Sequence, residues 1–190
     1  MTAVSETKIC NRALQKVGAA RITSLTENSS EARACNMVYE LLRDAELRAH
    51  PWNFAGKRIQ LAASAEVPAF GKAYEYPLPV DFLKLREDDV PTYSRDWIIE
   101  GKKILTDEGG PLNVRYTKRV TDVTEMDPLY VESLACRIAI ELCEELTQSN
   151  SKKESLKDEY KTAIREARKA NAFDRIAQSS PEDEWITVRG

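Results

Sequence analysis

The feature that most restricts the fold is a change of residue pattern that begins after Pro51 and reverses near Val120. On both sides of this region, apolar residues recur three or four positions apart, which is the spacing of one face of an α-helix. Between Trp52 and Val120, prolines and glycines separate short runs of β-branched and aromatic residues instead. The pattern therefore predicts two helical ends that enclose a β-rich insertion.

Two helices are predicted before the insertion. The first covers residues 5–17, and Gly18 follows it as the residue that commonly stands just past a helix end. The second covers residues 29–49, where Asn28 followed by Glu31 provides a capping signal. The proline that comes next ends this helix because it disfavours helical geometry in the residue before it.

Two further helices are predicted after the insertion. Asp127 and Pro128 supply the cap and the first turn of the third helix. Ser151 and Glu154 open a fourth helix that continues to about Ile176. The predicted fold class is therefore mainly α, a helical bundle of about four helices from both chain ends, with an inserted small antiparallel β region.

The insertion is predicted to hold three to six short antiparallel strands. The run "IIEGKKIL" indicates a hairpin around Glu100 and Gly101, and "DEGGP" marks a second turn before "LNVRY". Because a small sheet is only marginally stable by itself, we expect it to be stabilised by packing against the helices.

A chain of this length is predicted to form a single domain over residues 1–190. The helical bundle comprises residues 5–51 and 127–177, and the β-rich insertion comprises residues 52–120. Residues 178–190 lack a helical period and are predicted to form an extended C-terminal arm. Tryptophan is a frequent anchor of protein interfaces, so the arm supplies our candidate partner-binding residues: Trp185, Ile186, Val188 and Arg189.

Composition indicates a folded chain in a reducing environment. Hydrophobic residues make up 42% and charged residues 31%, as in globular proteins. No apolar run approaches the roughly 20 residues that cross a bilayer, and the first residues do not resemble a signal peptide. We therefore expect no membrane contact and a chain that is made in a reducing cytoplasm. The cysteines are expected to be reduced and buried: Cys10, Cys35, Cys136 and Cys143.

His50, the single histidine of the chain, is the first candidate for a catalytic or metal-binding residue. No nucleophile motif accompanies it, and one histidine with scattered cysteines does not supply a metal-ligand set. The glycines of "DEGGP" lie between strands and do not match a phosphate-binding loop. The adjacent acidic pairs 88–89 and 144–145 point in different directions and form no carboxylate dyad by themselves. The sequence predicts no catalytic residues, no cofactor and no metal.

Two segments with aromatic residues have competing interpretations. "VRYTKRV" places Arg115, Lys118 and Arg119 around Tyr116, which suits either an ordinary exterior strand or contact with nucleic acid. The net charge of −3 argues against binding mainly through phosphates, although DNA could still pass nearby.

In "HPWNFAGKR", the two rings of Trp52 and Phe54 face the same side if the segment is extended. We interpret these two residues as a structural joint, packed between helix and sheet. His50 lies at this boundary without a functional role of its own. A ligand site around the rings is the alternative.

The order of these segments resembles one protein family. A first helix containing "ICNRALQKVGAARITSL" precedes "RAHPWNFAGKRIQLA", then "YPLPVDFLKL", then "VRYTKRV" before a helix that starts "DPLY". This order is similar to that of the bacteriophage head-to-tail adaptor, or connector, family, which includes the tail tubular protein A of short-tailed phages. The resemblance covers roughly residues 8–149.

The resemblance implies a structural virion protein rather than an enzyme. Members of the family form a ring, commonly of twelve subunits, beneath the portal of the capsid. The ring joins the portal protein to the tail nozzle or tail tube and leaves a channel through which genomic DNA passes without specific binding. The expected location is the virion neck, between head and tail, and the host cytoplasm during assembly. The free chain is expected to be monomeric or weakly associated.

Two other functions remain open from the residues alone. One is a virion-associated peptidoglycan hydrolase that acts through two carboxylates distant in sequence. The other is a small DNA-binding factor that uses "VRYTKRV".

Overall fold

The computed structural model describes residues 4–86 and 96–174 of the chain. This part contains four α-helices, which are α1 Glu6–Val17, α2 Ser30–Ala49, α3 Pro128–Thr147 and α4 Asn150–Phe173. It also contains six strands, which are β1 Gly56–Leu61, β2 Tyr74–Pro77, β3 Phe82–Leu85, β4 Ile98–Glu100, β5 Lys103–Thr106 and β6 Leu112–Lys118. The predicted C-terminal arm lies outside the described residues.

The strands form two separate antiparallel sheets of three strands each. The first sheet has the order β1-β6-β3, with Gly56 opposite Thr117 at one end of the β1–β6 pair. The second sheet has the order β2-β5-β4, and its β4–β5 hairpin turns at Gly101 and Lys102. Gly101 has φ of 58°, a left-handed conformation that glycine adopts without strain. Each sheet therefore presents two edge strands, and β3 and β4 are two of the four.

The predicted fold class, mainly α with a small inserted β region, is wrong. Of the described residues, 51% are helical and 17% lie in strands, which form two sheets, although the number of helices matches the prediction. The β part was underestimated because β1 pairs with β6, which follows it by about fifty residues. Periodicity within one short run does not show which distant run it pairs with.

The start of α2 differs from the predicted capping signal. Ser29, not Asn28, is the cap, and its hydroxyl accepts a hydrogen bond of 3.2 Å from the backbone N–H of Ala32. The Asn28 side-chain oxygen instead accepts a 2.8 Å bond from Arg33. Glu27 accepts a bond from the Ser29 hydroxyl, so the cap is held from both sides.

The start of α4 also differs from the prediction. Gln148 ends α3 with a left-handed φ of 52°, and this turn leaves Ser149 extended as the cap of α4. The predicted cap, Ser151, lies within the first turn of the helix. Since two residues separate α3 from α4, the two helices form a tight antiparallel pair.

Helix α3 is the centre of the larger hydrophobic core, because α1, α2 and α4 all pack against it. Its inward residues are at most 1% exposed and are Tyr130, Leu134, Ala135, Ile138, Ala139 and Leu142. The four cysteines are buried with free thiols. Among the described helices, none combines the length and the apolar character that a membrane span requires.

A second, smaller core lies among the strands of both sheets. Its buried members are Leu61, Tyr76, Ile104, Leu112 and Val114. Tyr76 keeps its hydroxyl satisfied by donating a 3.0 Å hydrogen bond to the carbonyl of Glu108. The β part therefore has apolar packing of its own besides its attachment to the helices.

The second core can be tested by comparing two isoleucines that lie opposite each other in the β4–β5 hairpin. Ile104 is fully buried and Ile99 is 46% exposed. Ile104→Ala should lower the free energy of unfolding by about 2–5 kcal/mol, because it leaves a cavity. Ile99→Ala should cost about 1 kcal/mol or less. Urea denaturation measures both, and equal losses would contradict the second core.

Candidate functional site

A groove of about 760 Å³ lies between the two sheets, and we call it the inter-sheet groove. One wall is the edge strand β3, and the other contains β4 and the hairpin turn that follows it. Arg48, near the end of α2, and Arg119, just after β6, close its helical side. The groove is therefore formed where the two sheets and the helical part of the chain approach one another.

The inter-sheet groove is lined by basic residues and by no acidic residue of the described chain. Arg119 forms an ion pair of 2.6 Å with Asp44, and Arg48 donates a hydrogen bond to the backbone carbonyl of Leu83. Lys84 and Lys102 are exposed, and neither forms an ion pair within the described residues. Within the described residues, the groove therefore keeps two positive charges that have no ion-pair partner, and these favour an acidic ligand.

Apolar side chains lie between these charges. Val80 is 93% exposed and Ile99 is 46% exposed, while Trp97 is half-buried and donates a 3.1 Å bond to Glu108. Edge strands also carry backbone N–H and C=O groups that are available for pairing with another strand. Basic charge, apolar surface and two strand edges together suit an extended acidic and apolar peptide better than a small polar metabolite.

The predicted joint lies beside this groove. Trp52 is 1% exposed, and its ring centroid lies 6.1 Å from that of Phe54 and 5.1 Å from that of Tyr130 on α3. Its Nε1 donates a 3.0 Å bond to the carbonyl of Glu46. The segment is not extended as expected, since residues 53–55 form a turn of 3-10 helix in which Ala55 donates to the Trp52 carbonyl. The two rings stack in spite of this turn.

Asn171, near the end of α4, fixes the same segment by paired hydrogen bonds. Its side-chain oxygen accepts a 2.7 Å bond from the backbone N–H of Asn53, and its own carbonyl accepts a 2.7 Å bond from the Asn53 amide. The Asn171 amide also lies 3.1 Å from Nε2 of His50. His50 therefore contacts a structural asparagine and, at 4.7 Å between centroids, the Trp52 ring.

Arg86 extends the joint to the first sheet. It is 5% exposed, donates to the Trp52 carbonyl, and donates a 3.1 Å bond from Nε to Oγ1 of Thr117. Its guanidinium lies directly beside Gly56, where an added Cβ would meet Nη1 at 2.6 Å. A side chain at this first residue of β1 would therefore have to displace the Arg86 guanidinium.

Gly56→Ala should destabilise the protein by about 1–3 kcal/mol, because the new methyl group displaces a buried, hydrogen-bonded guanidinium. Gly109→Ala is the matched control, since its Cβ would meet Tyr74 at an ordinary 3.7 Å. The control should change the unfolding free energy by no more than about 0.5 kcal/mol. Chemical denaturation measures both variants, and equal effects would show that the Arg86 contact is not restrictive.

The basic strand is not an open nucleic-acid surface in this structure. Tyr116 is fully buried and donates a 2.7 Å bond to Asp81, and burial together with this bond raises the pKa of Tyr116. Lys118 pairs with Glu125, and Arg119 pairs with an acidic residue of α2. The Tyr116 ring is therefore not available to stack on a base.

A polar cluster on the helical part brings together Glu132, Cys136 and Glu159, whose ligand-type atoms lie within 4.8 Å of one another. The ammonium of Lys16 bridges the two carboxylates, at 2.8 Å from Glu132 and in contact with Glu159. Burial raises the pKa of the Cys136 thiol, which disfavours the thiolate that a metal would bind. This arrangement is an internally neutralised ion-pair network, in which a lysine occupies the space between the acids.

Glu132 gives this network a pH dependence. Bidentate hydrogen bonds from Arg12, at 2.9 and 3.1 Å, lower the pKa of Glu132 below its ordinary 4.5. A lowered pKa contributes stability that is complete above the unfolded value and disappears as pH falls through the folded value. The melting temperature of Glu132→Gln should therefore lie below that of the wild type at pH 7, and the difference should shrink below about pH 4.5.

Calorimetric scans from pH 7 to pH 3 measure this difference. Glu145→Gln, an exposed carboxylate of the same helix, controls for removal of a negative charge and should change the melting temperature less at pH 7. A wild-type advantage that grows on acidification would contradict the role of Glu132.

The structure thus places Trp52 and Phe54 together in the joint. The other candidate residues, Trp185, Ile186, Val188 and Arg189, lie outside the described residues. Reasoning from the sequence missed Asn171, Arg86 and the groove lysines. Asn171 and Arg86 act on residues far away along the chain, so no local pattern marks them.

A scan of the chain against protein-family models found no match, and a search of curated proteins found none either.

Proposed function

We propose that this chain is a structural virion protein, a head-to-tail adaptor that forms a ring beneath the portal. In this role it joins the portal to the tail nozzle or tail tube and leaves a channel for DNA. The observation that carries the proposal is the order of sequence segments from the first helix to "DPLY", which resembles the adaptor family over roughly residues 8–149. No catalytic role is part of the proposal.

The distribution of exposed apolar side chains supports a role in assembly. Several of the most exposed large hydrophobic residues belong to the β part and its loops, which are Val67, Phe70, Val80, Ile98 and Ile99. Such side chains are common at protein contacts when they cluster on one part of a molecule. The β part is accordingly the surface that we assign to portal or tail proteins.

A second exposed apolar pair lies on the helical part. Met37 and Leu41 are one turn apart on α2 and are 73% and 71% exposed. A ring needs two different side surfaces on each subunit, because each copy contacts its neighbours head to tail. We assign this pair to one of those surfaces.

Binding to a portal ring tests the proposed function directly. The purified chain, mixed with isolated portal rings and imaged by negative-stain electron microscopy, should add a ring of density at one end of the portal. The free chain should elute mainly as a monomer, since the exposed apolar pair on α2 is small compared with stable interfaces. Portal rings that remain unchanged at saturating protein would overturn the proposal.

The α2 pair provides a sharper version of this experiment. Met37→Lys with Leu41→Lys should leave the fold intact and reduce the number of complete rings on portals, because burying a charged lysine at a contact costs desolvation free energy. The matched control places lysines at Ser155 and Thr162, which are exposed two turns apart on α4 and add the same two positive charges. Normal ring formation by the α2 variant would remove this surface from the assembly, and equal loss in both variants would show a non-specific charge effect.

A further inference from the structure

The inter-sheet groove has a charge and a shape that call for an acidic and apolar chain segment. Lys84 and Lys102 stand on its two walls without an ion pair in the described residues. Val80, Ile99 and Trp97 supply apolar surface between them. The edge strands β3 and β4 add backbone groups that an extended peptide can pair with.

The chain itself contains a segment of this chemistry. Residues 182–188 read EDEWITV, which is three acidic residues followed by tryptophan and a β-prone apolar run. The acidic part matches the lysines of the groove, and the apolar part matches the surface between them. This segment lies outside the described residues, so its sequence alone enters the argument.

The last turns of α4 are bonded to the segment that follows the groove residue Arg48. Asn171 contacts His50 and Asn53, and Arg48, two residues before His50, lines the groove. From Phe173 to residue 182 is nine residues, which extend over at most about 30 Å. The described end of α4 is therefore bonded to a residue two positions from Arg48 of the groove.

We propose that residues 182–188 dock in the inter-sheet groove of their own chain. The acidic residues pair with Lys84 and Lys102, and Trp185 and Ile186 cover Val80 and Ile99. A partner that binds the same segment must then compete with the groove. The proposal does not depend on a role in a virion, so it stands or fails separately from the adaptor function.

Docking within one chain is favoured over exchange between copies by effective concentration. A segment that is tethered to its site by a short connection has an effective concentration there of roughly millimolar. Free copies at micromolar concentration cannot compete with this unless the connection is too short. The nine-residue separation between Phe173 and residue 182 can extend over about 30 Å, which makes the connection long enough.

Disulfide trapping in the full-length chain tests the proposal. Val80→Cys with Ile186→Cys should form an intramolecular disulfide under a mild oxidant, seen as a faster-migrating monomer on non-reducing gels. Phe70→Cys and Leu41→Cys, each with Ile186→Cys, are the controls, because these positions are 88% and 71% exposed but lie outside the groove. The Val80 pair should react about tenfold faster than either control.

Charge reversal separates specific docking from random encounters. Lys84→Glu with Lys102→Glu, added to the Val80 pair, should slow the disulfide by about fivefold or more, since attraction becomes repulsion. Lys157→Glu with Lys161→Glu on α4 makes the same change of net charge away from the groove and should leave the rate unchanged. Circular dichroism of each variant verifies the fold.

Three results would overturn the proposal. Equal rates for the Val80, Phe70 and Leu41 pairs would show that the segment samples the surface without preference. A disulfide rate that is unchanged by Lys84→Glu with Lys102→Glu would show that charge does not guide the docking. Disulfide-linked dimers as the main product would assign the groove to the segment of a neighbouring copy instead.

Discussion

The paired hydrogen bonds between Asn53 and Asn171 hold the point at which the helical part of the chain continues into the first sheet. Buried backbone groups must find partners, and this segment finds them in side chains. The Trp52 carbonyl accepts a hydrogen bond from the Arg86 guanidinium, and Arg86 follows directly after β3. The joint therefore fixes β3 against the end of α2, and with it one wall of the inter-sheet groove.

This arrangement separates two kinds of surface. The larger core around α3 is apolar and continuous across four helices, so it gives a rigid body. The smaller core among the strands packs the two short sheets, and β3 and β4 remain edge strands beside the groove. Residues that contact other molecules can vary along those edges without disturbing α3.

Sequence reasoning recovered the four helices because each depends on neighbouring residues. The proline after His50 ends α2, because it disfavours helical geometry in the residue before it. The sequence also selected Trp52 and Phe54, whose rings the structure places 6.1 Å apart. The division of the strands into two sheets was missed, because pairing between β1 and β6 depends on distant segments. Asn171 could not be found either, since its partner Asn53 lies 118 residues earlier and a lone asparagine in a charged helix carries no periodic signal.

Lys84 on β3 and Lys102 on the hairpin turn also affect how copies of this protein behave at high concentration. Two open strands on a small protein are a template for sheet growth from copy to copy, the route by which many proteins precipitate. Lys84 and Lys102 oppose such growth, because pairing the same strand edge of two copies would bring like charges together in a poorly hydrated interface. A protein accumulating at high local density can thereby remain dispersed until its proper contacts form.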